Sequence, residues 1–204
     1  AMEFMGIKAL YPKKKTTVTN KQHNKYPYLL NAFKNGSNQV VIDEANKVWS
    51  ADITYIMLEH GYAYLAAILD WYSKKILAWK LANTTDTHLT TSVLNEALLK
   101  YDKPDIFNSD QGVQYTAKEH VKILTDNKIN ISMDAKGRSI DNIVIERFWR
   151  TLKHENVYPS SYNTMSEAKR GIREYIDTYN NERLHSSIGY ITPDEAYTAI
   201  LDAA

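Results

Sequence analysis

From Val48 onward the chain alternates short apolar, β-prone runs with longer amphipathic stretches. Three such runs, about 47–57, 62–71 and 74–83, lie close together, joined by turns around "EHGY" and "YSKK". So close a spacing predicts an antiparallel meander. A helical period follows over 86–101, opened by Asp86 as a cap and carrying Leu89, Val93, Leu94, Ala97 and Leu98 on one side. A fourth strand is predicted at 105–109, a helix at 117–127 and a fifth strand at 129–133. Helices at 139–157 and 165–183 and a short one at 193–202 complete the order. Strands interleaved with crossover helices predict an α/β fold: a mixed five-stranded sheet flanked by helices. Residues 5–46 lack sustained periodicity, apart from the patch "YPYLLNAF", and read as an N-terminal arm and linker.

Composition narrows this picture. At 204 residues and 44% hydrophobic, the chain suits one domain with a modest appendage. The expected division is a core at 47–160 and a C-terminal helical extension at 161–204, with "AMEF" at 1–4 read as a cloning scar. Cysteine is absent, which excludes disulfides and thiolate zinc sites. The apolar stretch "YAYLAAIL" is far short of the roughly 20 residues that span a bilayer. No signal peptide is visible, and a cytoplasmic, nucleoid-associated setting with no membrane partner is expected. Net charge is only +1, but it is unevenly spread. The first 25 residues hold Lys8, Lys13, Lys14, Lys15, Lys21 and Lys25 against one acid, Glu3. A basic arm beside a less basic core suits a nucleic-acid protein, though a solvated tail carries the same charge. No two of the seven glycines are two apart, so G-x-G-x-x-G is absent; so are the P-loop, G-x-S-x-G and H-E-x-x-H.

Candidate chemistry concentrates in three carboxylates. Asp52 sits inside the apolar run "VWSADITYIML", Asp110 closes "DIFNSD", and Glu146 lies on the amphipathic helix "SIDNIVIERFWRTLKHE". A carboxylate in the middle of a core strand is costly unless its charge is compensated. Three brought together repel unless they share divalent cations. At about 100° per residue, Ile140, Val144, Ile145, Phe148 and Leu152 share the apolar arc, while Asn142, Glu146, Arg150 and Lys153 share the other. Glu146 and Lys153 are seven residues apart and so stack two turns apart. Such a set points to metal-dependent phosphoryl transfer, with two Mg²⁺ ions about 3.5–4 Å apart activating a nucleophile and stabilising the leaving oxygen. In this reading Asp52 bridges both ions and Asp110 and Glu146 each hold one. Taken singly, an Asp after a strand is a turn residue and a Glu on a polar helix face is solvated; the mid-strand Asp52 is harder to explain that way.

The runs "VWSADITYI", "NSDQGVQYTA", "SMDAKGRSIDNIVIERFWRTLKHENVY" and "YNNERLHSSIGYITPDEAY" together resemble the catalytic half of bacterial insertion-sequence transposases of the DDE, retroviral-integrase-like type, encoded by the second reading frame. Between Asp110 and Glu146 lie 35 residues, the spacing of the D,D-35-E subgroup, and Lys153 supplies the subgroup's basic residue seven positions on. The resemblance runs from about Met5 to Tyr197. It implies a ribonuclease-H-like fold, with Asp52, Asp110 and Glu146 binding Mg²⁺, for which Mn²⁺ substitutes. It implies DNA 3′-end cleavage at terminal inverted repeats, strand transfer into target DNA, and a homodimer or larger assembly on DNA. It further implies an upstream helix-turn-helix region, of which "MGIKALYPKKK" would be the trailing end, and the upstream-frame helix-turn-helix protein as a partner. Two positions depart from the pattern: Asn108 stands where relatives often have His, and Ala135 where they usually have Gly. A ribonuclease-H-like nuclease or resolvase that only hydrolyses, and an inert DNA-binding assembly module, are the alternatives.

Around the carboxylates, Gln114 and Tyr115 are candidates to contact a DNA backbone or stack on a flipped base. Lys136 and Arg138 form a basic loop before the helix, and Asn142 lies one turn before Glu146. Lys153, Arg150, Arg183 and His185 complete the candidate DNA contacts, the last two within the hallmark "YNNERLHSS". Ser50 and Thr54 share a strand face with Asp52, whereas Trp49 and Tyr55 are assigned to the core on the other.

Overall fold

The computed structural model describes residues 26–134 and 142–199. Its centre is a sheet of five strands: β1 Val48–Leu58, β2 Gly61–Asp70, β3 Ile76–Ala82, β4 Ile106–Ser109 and β5 Asn130–Met133. Spatial order is β3-β2-β1-β4-β5. The first three strands form the predicted antiparallel meander, and β4 and β5 join it in parallel. β1 is therefore central, and its register places Ser50 opposite Asn108, so Asp52 and Asp110 follow at equivalent steps of neighbouring parallel strands.

Helices cover both faces. α1 Thr87–Lys100 and α2 Lys118–Asp126 pack on one side through Leu89, Val93, Leu94, Ala97 and Leu124, against Trp49, Ala51, Ile68 and Phe107. α3 Ile143–Leu152 and α5 Met165–Asn181 pack on the other, where Ile145, Phe148, Leu152, Ile172 and Ile176 meet Ile56, Leu65, Leu69 and Ile76. Asp86 caps α1 by accepting from the Leu89 N–H, as its position before the helical period predicts. Thr192 and Glu195 form a capping box at the start of α6 Pro193–Thr198.

Three features differ from the sequence expectation. The helix assigned to 139–157 is α-helical only to Leu152 and continues as a π-helical turn, Lys153–Val157, before the short α4 Tyr158–Ser160. Residues 26–46 are not a loose linker. Leu30 is completely buried with Ile42, Val48, Trp71 and Ile106, the Leu29 N–H donates to Ser132 Oγ, and Pro27 O accepts from Met133 N. The apolar patch "YPYLLNAF" is thus a piece of core. Likewise α5 is no appendage: Asn180 exchanges both side-chain hydrogen bonds with the backbone of Ile76 on β3.

Candidate active site

Asp52 projects from the middle of β1 onto the face covered by α3 and α5, the parity it shares with Ile56. Burial pushes its carboxyl up to about 6, with the negative charges of Asp110 and Glu146 adding to the shift and N–H groups of Ile53 and Trp149 opposing it. The structure therefore puts Asp52 in the field of both Asp110 and Glu146. Asp110 stands just past β4, its Oδ1 accepting from the Gly112 N–H at 2.8 Å. Surrounding protein raises its carboxyl too, although its rim is open to solvent. Gly112 is needed there, because a Cβ would come within 2.8 Å of that oxygen. Glu146 lies in the first turn of α3, exposed, with burial raising it as well.

Trp149 is the neighbour that the sequence does not announce. Its Nε1–H donates to Asp52 Oδ2 at 2.9 Å, fixing the carboxyl from the helix side. On sequence it is one more apolar residue of an amphipathic helix; only its indole N–H, which needs a partner when buried, hinted at a polar neighbour. Ser50, on the same strand face, gives Asp52 no hydrogen bond: its buried Oγ has no partner among the described residues.

Lys153 opens the π-helical turn, with its ammonium 4.9 Å over the Tyr55 ring. It lies close enough for the Asp52 charge to oppose the lowering of its pKa by burial. Tyr55 is correspondingly not a core residue: it is 60% exposed and meets Tyr62 edge-on. Asp52, Thr54, Tyr55, Asp110, Gln114 and Tyr115 line one shallow groove of about 230 Å³.

Tyr115 departs from its expected role. It is 3% exposed and packed edge-on against His120, so no ring face is open to a base. Instead the phenol forms a wall beneath Asp52 and Asp110, whose charges add to the burial that keeps it neutral. Gln114 lines the groove but donates its Nε2 to Thr85 O. Asn142 is likewise not on the exposed face of the helix. It is 4% exposed, its Nδ2 donates to the carbonyl of Ala51, and its Oδ1 is buried without a partner among the described residues. It thereby braces β1 one residue before Asp52. Arg150 is exposed on the stripe of Glu146. Arg183 pairs with Glu155, and His185 is half-buried against Tyr179, both away from the Asp52 groove. Lys136 and Arg138 lie outside the described residues, as does Ala135. Asn108 is buried and structural, donating to Asp134 and accepting from Ser132 on β5.

Among the described residues no three His, Cys, Asp or Glu side chains converge on one point at ligating distance. The donor set still suits a hard divalent cation: three carboxylates, no imidazole or thiolate, and a buried Asp52 held protonatable by lack of counter-charge. A cation would supply that charge.

Comparison with known proteins agrees with the fold. Models of the integrase core domain match residues 43–139 and 127–193. The insertion element IS600 31 kDa protein of Shigella sonnei, itself uncharacterized, is 37% identical over 93% of this chain and 69% of its own length. The transposase for insertion sequence element IS904 of Lactococcus lactis is 36% identical over 74% of this chain and 60% of its own. The chain thus spans roughly two thirds or less of these relatives. Among solved structures, the HTLV-2 integrase catalytic core in complex with magnesium superposes with a TM-score of 0.60 at 16% identity, covering 76% of this chain and 97% of that one, which places the fold as ribonuclease-H-like. With a 37%-identical relative matched over most of both chains, this protein belongs to the integrase-core family of DDE insertion-sequence transposases.

Proposed function

We propose that the chain is the catalytic part of a transposase that cuts DNA at the 3′ ends of its element and joins those ends to target DNA by direct phosphoryl transfer. The observation that carries this reading is Asp52: a carboxylate on the central strand, buried, and in the field of Asp110 and Glu146. Asp52, Asp110 and Glu146 would hold Mg²⁺ or Mn²⁺, two ions during catalysis, with the D,D-35-E spacing of the family. When bound, the metal supplies Lewis-acid activation of the attacking oxygen and charge neutralisation at the phosphorus.

The chain's own residues do the rest. Trp149 and the Ile53 N–H fix the Asp52 carboxyl before any ligand arrives. Tyr115 and the apolar bed beneath it exclude water from one side of the carboxylates. Gly112 holds Asp110 by its N–H and leaves room for it. Lys153, beside Tyr55 at the groove mouth, is placed to hold a non-bridging phosphate oxygen. Terminal inverted repeats and target DNA are the substrates, with a dimer or larger assembly on DNA, and the upstream-frame helix-turn-helix protein as a partner. Among the described residues no helix is long and apolar enough to cross a membrane.

The test is strand transfer from a short duplex with an exposed element-type 3′ end into supercoiled plasmid, with Mg²⁺, Mn²⁺ or EDTA, beside Glu146→Gln. Metal-dependent joined products, lost in the variant, are the expected result. Nicking without joining would overturn transfer in favour of hydrolysis alone.

A further inference from the structure

A cavity larger than the groove of Asp52 lies elsewhere on the molecule. It is an open pocket of about 920 Å³ on the neighbouring side of α3, between that helix, the segment at 34–40, the β2–β3 turn and the stretch after α5. Its rim carries Lys34, Lys74, Arg147, Arg183 and His185 and not one carboxylate. Ile143, Arg147 and Thr151 line it at four-residue intervals, one stripe round the helix from Glu146 and Arg150. α3 thus turns one face to the carboxylates and the adjacent face to a concentration of positive charge.

That charge lacks internal compensation. Arg183 is the exception, being paired with Glu155. Among the described residues Lys34, Lys74 and Arg147 have no carboxylate within salt-bridge distance. The acid nearest in effect, Asp70, is fully buried and occupied by Ser73 and by the Asn46 N–H. Lys74 is held in place by donating to Trp71 O, with backbone in the left-handed region at φ 66°. Burial, helped by the Arg147 charge and opposed by the pull of Asp70, lowers its pKa to about 8. His185 adds a ring nitrogen that is buried and without a hydrogen-bond partner among the described residues. Cations gathered around a concavity with no matching acid repel one another unless an external anion sits among them.

We propose that this pocket is a second DNA-binding site, gripping phosphates of a duplex backbone through Lys34, Lys74 and Arg147. The proposal rests on the reading of the chain as a DNA-joining enzyme, but concerns a different face. Phosphodiester is favoured over an acidic protein segment because the three uncompensated cations come from three separate elements and ring an open groove, as a continuous backbone crossing it requires. A backbone held there lies alongside the helix that carries Glu146, so it gives a second duplex a fixed position relative to the first.

The experiment is fluorescence anisotropy of a short labelled duplex of arbitrary sequence, titrated across a salt series in EDTA, so that no metal-dependent step contributes. The Lys34→Gln/Arg147→Gln double variant is expected to lower the log–log salt slope by about 2, since each lost phosphate contact removes about 0.9, and to weaken binding about tenfold or more. Lys122→Gln on α2, which removes an exposed charge elsewhere, leaves the slope unchanged. Lys34→Arg/Arg147→Lys restores it, which a folding defect in the Gln variant would not predict. An unchanged slope in the double variant, or a wild type without measurable duplex binding in EDTA, overturns the proposal. Failure of strand transfer alone, with the slope change intact, would instead overturn the catalytic reading and leave the pocket standing.

Discussion

Asp52→Asn should make the metal-free protein more stable, and the size follows from the structure. The Asp52 carboxyl is raised from 3.8 to about 6 in the fold, chiefly by burial. At about 1.36 kcal/mol per unit, ionising it costs the native state about 3 kcal/mol relative to the unfolded chain. The folded state binds the proton more tightly, so stability falls as pH rises from about 4 through about 6. Above that range the penalty is fully present; below the unfolded value it vanishes. Asparagine carries no charge and keeps an oxygen to accept from Trp149, but its amide adds donors to a buried site, which offsets about 1 kcal/mol. The net expectation at pH 8 in EDTA is a gain of about 1–3 kcal/mol, worth several degrees in Tm for a chain of this size. Urea unfolding of both proteins at pH 4 and pH 8 measures it, because the difference between them cancels the other titrating groups. A variant less stable than wild type at pH 8, or a difference independent of pH, would refute the account of Asp52 as an uncompensated buried charge.

Trp149→Phe removes the N–H that steadies the Asp52 carboxylate, which should weaken Mn²⁺ binding at pH 7 by less than the about 1.5–3 kcal/mol of a hydrogen bond to a charged group, because that bond is made without metal too. Calorimetric titration giving an unchanged affinity would remove Trp149 from the site. His120 is buried with neither ring nitrogen partnered among the described residues, and burial lowers its pKa to about 4 from 6.5. Protons therefore favour the unfolded chain as pH falls from about 6.5 to about 4, at a cost approaching 3 kcal/mol; His120→Leu should flatten the denaturation midpoint over that window. Gly171→Ala places a Cβ 2.1 Å from the Tyr162 hydroxyl, which donates to Asn156, and should cost about 1–3 kcal/mol in thermal unfolding, with no loss expected only if Tyr162 can leave its site freely. Lys153→Ala should lower the salt slope of duplex binding by about 1; parallel slopes would take Lys153 off the phosphate backbone.

Much of this was legible because local periodicity and tertiary fate coincide. The meander, the two parallel additions and the α1 cap all follow from runs of side chains whose period matches their burial. Asp52 stood out since a charge inside a β-branched run conflicts with its surroundings, whereas helical angle only put Glu146 on a polar face and its spacing from Asp110 singled it out. The misreadings share a cause: alternation specifies which face a side chain takes, not what covers that face. Tyr55 has the parity of Trp49, yet it lies near the far end of β1, where no helix packs on it among the described residues and it is 60% exposed beside Tyr62 and Lys153. Tyr115, in a polar loop, falls under α2 and is buried. Asn142 sits at the N-cap of α3, so helical angle no longer describes its direction, and it turns inward to Ala51. The burial of Leu30 depends on contacts with strands far along the chain, which no local pattern encodes.

The π-helical turn at Lys153–Val157 works as a phase adapter between two halves of the molecule. Upstream, α3 sets the angular relation of Glu146 to Lys153. Downstream, Glu155 must face Arg183 and Tyr175, and Asn156 must face Tyr162 and the Gly171 carbonyl. A wider turn supplies the angle that regular α geometry would miss. Deleting one residue from 154–156 would leave Glu146 and Lys153 aligned but rotate everything after them by about 100°. Chimaeras that splice the C-terminal helices of one relative onto the core of another therefore have to conserve chain length across this turn, whatever residues occupy it.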